Sequence, residues 1–294
     1  MEIYNSNTIK WKVNPIAILL GTMFTLSVYA EEGNSVDNIN DKVESTQNES
    51  DASCITCNIS GSVTAGYSTN IYNKDDYRAE RSFSWDGTLK YTLSKSMKAY
   101  ISSGGYRALD DEVGTYASDS VIGLSHSKLY EFGESGKIGA SGQFTIPTSE
   151  ASRKDKLQTA FRLAIPISFE HWGVSFNISP RIRKNFHQYK TYGGKSLTEW
   201  TYSLFTGASY SWEKLTLGID ALGGNTISYQ GTRRDSVDYG GSIYGAYDFN
   251  DNWSFTLTAA TSGAYADAER GTLGNIDLFD ADKASYSADI TFSF

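Results

Sequence analysis

No long hydrophobic run crosses this sequence. Its one apolar stretch of note, Ile16 to Leu26, is too short to span a bilayer comfortably as a helix. A mean hydropathy of −0.39 argues against a bundle of membrane helices. It leaves room for a membrane barrel, whose strands dilute each apolar residue with a polar one. Proline and methionine are rare, at 4 and 3 residues, against 20 Tyr and 27 Gly, a β-rich balance. Basic residues are outnumbered, 26 Lys and Arg against 34 Asp and Glu. The net charge of −8 comprises +1 from residues 1–30, −6 from 31–57 and −3 from the remainder. No basic domain of the kind nucleic-acid binding needs is present. Two cysteines alone make a poor zinc site, so no metal and no cofactor is expected.

What is there begins with a tripartite start. Lys10 and Lys12 precede the apolar run, and Val28-Tyr29-Ala30 carries small residues where a signal peptidase reads. Residues 1–30 are expected to be a cleaved secretory signal; an uncleaved anchor is the alternative. Residues 31–57 hold seven acidic groups against Lys42 and almost nothing apolar. Such a segment cannot offset its chain entropy by burial and is expected to be disordered. Cys54 and Cys57 form "CITC" at its end. In an exported chain this spacing suits a small disulfide loop, with a redox dithiol as the alternative.

From Asn58 onward the pattern is period two. In "AFRLAIPISF", Phe161, Leu163, Ile165, Ile167 and Phe169 share one face, and Arg162 and Ser168 the other. "VSFNISPRIR", "EWTYSLFTGASYSW" and "VDYGGSIYGAYDF" repeat the scheme. Twelve such segments lie near 59–72, 78–93, 97–107, 119–130, 137–147, 157–169, 173–186, 198–212, 215–228, 236–249, 253–264 and 283–294. Alternation of this kind predicts strands with one apolar face.

The joints alternate in length. Brief turns ("SKS", "EFGESG", "EHW", "EK", "NDN") follow the even segments, and longer polar loops follow the odd ones. A soluble sandwich has no reason to keep its long loops at one end. An outer-membrane barrel does. Aromatics gather at both ends: Trp172, Trp212, Phe249, Trp253 and Phe294 beside the short turns, Phe83, Phe161, Trp200 and Tyr239 toward the long loops. Two belts suit two membrane interfaces.

The chain ends "YSADITFSF", with Tyr286, Ala288, Ile290, Phe292 and Phe294 on one face. With the signal segment and the twelve alternating segments, this ending resembles Gram-negative outer-membrane β-barrel proteins of the small, monomeric, porin-like kind. The resemblance implies an all-β, transmembrane, antiparallel up-and-down barrel over residues 58–294. It implies the bacterial outer membrane as location, with lipid and lipopolysaccharide around the barrel. It implies that Tyr286, Ile290, Phe292 and Phe294 serve as the signal read by the barrel-assembly machinery. Channels of this size for oligogalacturonates favour a strongly basic lumen, and this sequence departs from that.

With the apolar faces toward lipid, the other faces line a lumen. The parity of 97–107 and 119–130 is ambiguous in sequence. Placing His126 and Lys128 inside avoids a charge on the lipid face, which costs about 2–4 kcal/mol at mid-depth. The expected basic lining is then Lys128, Lys137, Arg162, Arg181 and Arg183. The acidic lining is Asp86, Glu199, Asp220, Asp238, Asp248 and Asp289, with Lys90 also inward. Apart from Asp86 and Lys90, basic groups fall in segments four to seven and acidic ones in eight to twelve. One basic wall facing acidic ones suits passive diffusion of small polar solutes. The alternative is a structural barrel whose lumen charges pair and plug it, with its loops or acidic tail binding a partner.

Catalysis finds little support. His171 falls in a short turn and His187 at a loop base. No Asp-x-His occurs, and no Ser two residues after a histidine faces outward beside it, whereas Ser–His catalysis needs hydrogen-bond contact. The loop tips "ASRKDK" and "GTRRDS" are either ordinary solvated loops or contacts for lipopolysaccharide phosphates.

Overall fold

The computed structural model describes residues 58–110, 113–234, 237–265 and 284–294. The expected signal segment, the acidic segment and the Cys54–Cys57 pair lie outside the described residues.

In chain order the elements are β1 (Ile59–Asn70), β2 (Arg81–Thr92), β3 (Met97–Ala108), β4 (Gly114–Ala117), β5 (Ser120–Phe132), β6 (Gly136–Ile146), α1 (Glu150–Lys154), β7 (Leu157–Ala164), β8 (Ile167–His171), β9 (Val174–His187), β10 (Thr191–Tyr192), β11 (Lys195–Ser196), β12 (Thr198–Trp212), β13 (Leu215–Ser228), β14 (Val237–Asp248), β15 (Trp253–Tyr265) and β16 (Ser285–Ser293). Every ladder is antiparallel between sequence neighbours. The ring closes where β16 pairs with β1, Val63 opposite Phe292. The result is the all-β up-and-down barrel of twelve wall strands that the alternation predicts. Closure removes the edges that an open sheet would expose.

Three elements stand off the wall: β10 and β11 form a small hairpin in a long loop, and α1 is a single turn; β4 pairs with β3 in line with β5 and extends that wall strand. In α1 the Ser149 side chain accepts from the Ser152 N–H. β7 and β8 together make one wall strand, interrupted at Ile165-Pro166. Pro166 has no N–H to give the ladder, and its carbonyl accepts from the Gly139 N–H at 2.8 Å.

Burial is inverted relative to a soluble protein. Leu217, Ile219, Ile243 and Val63 are more than half exposed, while Thr216 and Thr256 are 2% and 1% exposed. Continuous apolar cover of this kind far exceeds the patches that soluble monomers show, and lipid is the solvent that suits it. Inside, hydroxyls satisfy one another across the strands: Thr88 to Ser102 at 3.0 Å, Thr64 with Thr291 at 3.0 Å, Ser211 with Thr216 at 2.9 Å.

Candidate pore site

Side chains opposite one another in an antiparallel ladder share a face, so the register assigns each charged residue to the interior or the exterior. Arg162 lies opposite Arg183, and Arg181 is two residues along on the same face. Arg162 is also opposite Gln143. Its Nη2 donates to Gln143 Oε1 at 2.6 Å, and the Tyr100 hydroxyl donates to that same oxygen at 2.8 Å. Arg183 Nε donates to Asn185 Oδ1 at 2.7 Å. Arg162 and Arg183 are 4% and 6% exposed. Two guanidiniums directly opposite would repel; the amides of Gln143 and Asn185 accept from them and hold both against the wall. Lys137 joins this side, opposite Ser168 and hence in line with Asn177.

Carboxylates occur round the interior: Glu131 lies opposite Lys137 and Glu170 opposite Ser175 near the short-turn end, and five aspartates line the other strands. Asp86 lies opposite Thr64 on one side of β1, and Asp289 opposite Gly66 on the other. The two carboxylates are close enough for their charges to interact. A β-carbon at Gly66 would run into the Asp289 carboxylate, so the bare backbone there makes room for the charge. Asp289 also accepts from the Ser287 hydroxyl at 2.9 Å. Asp220 lies opposite Gly207 and Ser242, within electrostatic reach of Arg181. Asp238 and Asp248 share the inner face of β14. Asp238 meets Arg234 at 3.2 Å at the long-loop end, and Asp248 sits at the short-turn end.

Three residues expected in the lumen, His126, Lys128 and Glu199, are placed otherwise. On β5, Ser125 is opposite Ser141, which shares the inner face of Gln143. His126 is opposite Met97 and Ala140 and therefore belongs to the outer face. Lys128 falls where the β5–β6 register shifts between His126 and Tyr130; it is exposed and pairs with Glu131 at 3.3 Å. Its charge is met by Glu131, which lies just past the shift opposite Lys137. Glu199 is the third correction. It sits where the β12 register shifts between Thr198 and Trp200, and its carboxylate meets Lys184 Nζ at 3.3 Å. Lys184 lies opposite Phe161 and Trp200 on the outer face, with Nζ 4.5 Å from the Trp200 ring.

The interior also holds groups that charge-counting passed over. Gln143, Asn185 and Tyr100 position the arginines, and only the cross-strand register reveals them. Lys90 and Lys98 face inward near the short-turn end, opposite Tyr100 and Ser125. The histidines are dispersed. His171 stacks on Trp172 at 4.2 Å in a short turn, and the Tyr229 hydroxyl accepts from the His187 N–H at 3.1 Å.

Comparison with known proteins agrees with the fold. No protein-family model and no curated protein sequence matches the chain. Among solved structures, the chain is similar to the NanC porin, with 10% identity, a TM-score of 0.51, and coverage of 79% of this chain and 98% of that one. It is also similar to an outer membrane channel from Pseudomonas putida F1, with 11% identity, a TM-score of 0.55, and coverage of 80% and 95%. At such identity the likeness concerns the barrel itself.

Proposed function

We propose that this porin-like barrel lies in the bacterial outer membrane and conducts small polar solutes by passive diffusion. The observation that carries the reading is the sorting of interior charge. Arg162, Arg181, Arg183 and Lys137 share one wall; Asp220, Asp238, Asp248, Asp289 and Asp86 take the others. Walls of opposite sign in a low-dielectric tube set a transverse field. The likeness to two outer-membrane channels supports the same reading. In this reading the chain is not an enzyme, works as a monomer, and contacts lipid, lipopolysaccharide and the assembly machinery.

The near-complete burial of Arg162 and Arg183 favours a second reading, a barrel with a filled lumen whose loops bind a partner. Planar-bilayer recording separates the two. The folded protein should give discrete conductance steps, and Arg162→Ala with Arg183→Ala should shift the reversal potential toward cation selectivity. An absence of steps from protein with a heat-modifiable band on cold gels would sink the channel.

A further inference from the structure

We infer that the outer face of the barrel carries a docking row for a lipid headgroup with a phosphate at each end of a disaccharide, the lipopolysaccharide of the outer leaflet. The inference rests on the outer-membrane reading. The row is a single line of cross-strand partners at the long-loop end. Phe161 on β7 is opposite Lys184 on β9. Lys184 is opposite Trp200 on β12, and Trp200 is opposite Ile227 on β13. Ile227 in turn bridges to Arg233, in the connection that follows β13. Partners in a ladder share a face, so all five belong to the outer face.

Lys184 and Arg233 thus bracket Trp200 and Ile227. Three steps of about 5 Å set the two cationic residues roughly 15 Å apart along the backbone rung, a span on the scale of a disaccharide. Neither is sealed off. Lys184 keeps 33% of its side-chain surface open, and Arg233 is exposed. Arg233 is also held in place. The Ser228 N–H donates to the Thr232 carbonyl at 2.9 Å and the Arg234 N–H to the Thr226 carbonyl at 3.1 Å, which lays the connection back along β13. Lys184 Nζ lies 4.5 Å from the Trp200 ring and 3.3 Å from the Glu199 carboxylate. Glu199 offsets part of its charge and fixes its height on the wall. A cation on the lipid face costs little near an interface, but hydrocarbon gives it nothing in return. Phosphate does: a guanidinium fork and an ammonium both pair with it. Between them, Trp200 and Ile227 offer the apolar floor that suits an interfacial headgroup.

Lipid retention by the full-length protein tests this. The barrel is reconstituted in phosphatidylcholine vesicles holding equal amounts of deep-rough lipopolysaccharide with both phosphates and of its monophosphoryl derivative. It is then extracted in detergent, and its bound lipid is identified by native mass spectrometry. The bisphosphorylated lipid should be retained several-fold over the other. Lys184→Gln with Arg233→Gln should abolish that preference, with folding checked by heat-modifiable migration. Arg233→Gln alone should reduce it, which keeps the test decisive if the double variant does not fold. Arg107→Gln removes an exposed charge opposite Phe83, on β3, four wall strands from β9, and should leave the preference intact. No preference in the unaltered protein, an undiminished one in the row variants, or an equal loss in Arg107→Gln would overturn the row. Conductance is read separately: steps without a lipid preference sink this inference and leave the channel standing, and a preference without steps does the reverse.

Discussion

Gly61 and Phe294 exchange both of their backbone hydrogen bonds: the Gly61 N–H donates to the Phe294 carbonyl at 2.9 Å, and the Phe294 N–H donates to the Gly61 carbonyl at 3.0 Å. The last residue of the chain is thus the final rung of the seam that closes the barrel. Its ring lies over Gly61, where a β-carbon would come within 2.7 Å of Phe294 Cζ and 2.8 Å of the Thr88 carbonyl. The Phe292 ring is 6.1 Å from that of Phe294 and 4.9 Å from Trp253.

Deleting Phe294 removes two ladder hydrogen bonds and one ring from this seam. Membrane insertion should fall sharply, and Gly61→Val should lower it comparably by forcing the ring aside. The fraction of heat-modifiable protein in outer-membrane preparations measures both. Normal assembly of either variant would show that the seam does not depend on this rung.

The exterior of β13 and β14 tolerates apolar groups only. Ile219, 57% exposed and opposite Ile243, stands in mid-strand. Ile219→Arg should destabilise the inserted barrel by about 2–4 kcal/mol, read from urea unfolding in vesicles. Ser209→Arg, at an inward position on β12 opposite Gly218, should not incur this lipid-face cost.

Tyr244 and Gly218 fit as ring and floor. They are opposite in the β13–β14 ladder, and a β-carbon on Gly218 would fall within the Tyr244 ring. Gly218→Ala should cost about 1–3 kcal/mol by overpacking. In a Tyr244→Ala background the same change should cost little, because the colliding ring is gone. Additive losses in a double-mutant cycle would refute the contact.

In the loop between β1 and β2, Arg78 grips Asp76 at 2.7 Å and lies 4.0 Å from the centroid of the Tyr72 ring. The side-chain hydrogen bond from Arg78 is the chief cause of the lowered Asp76 pKa, from 3.8 to about 2. A depressed carboxylate pKa means an interaction present above the unfolded value and lost as pH falls through the folded one. The clasp should therefore hold from neutral pH down past 4 and release only near 2. Trypsin cleavage after Arg78 should be slow at neutral pH in folded protein and faster in Asp76→Asn. Equal cleavage rates would show that the clasp does not order the loop.

The fold was legible because a membrane barrel writes its architecture into local pattern. Phe161, Leu163 and Ile165 on one face, with Arg162 on the other, define a strand and its two solvents at once. The loop lengths supply which strand ends lie together. The candidate site was less legible. His126 faces outward in regular register, because the pattern of 119–130 alone does not set its parity; Lys128 and Glu199 sit at register shifts, and period two cannot register extra residues that a neighbouring strand lacks. Gln143 and Asn185 went unremarked because a neutral amide acquires a role only beside a charge brought by another strand.

The sequence by itself determined the strands, the inward or outward parity of most of their residues, the ends at which short and long connections lie, and the aromatic finish at Phe294. Each follows from a period, a length or a composition confined to one segment. The tertiary structure decided which residues face one another: Arg162 against Arg183, Asp86 and Asp289 on either side of β1, and that pair across the barrel from β9. Opposition across a lumen depends on closure and on the register of every intervening strand. No single segment contains that information, so it arises only when the twelfth strand meets the first.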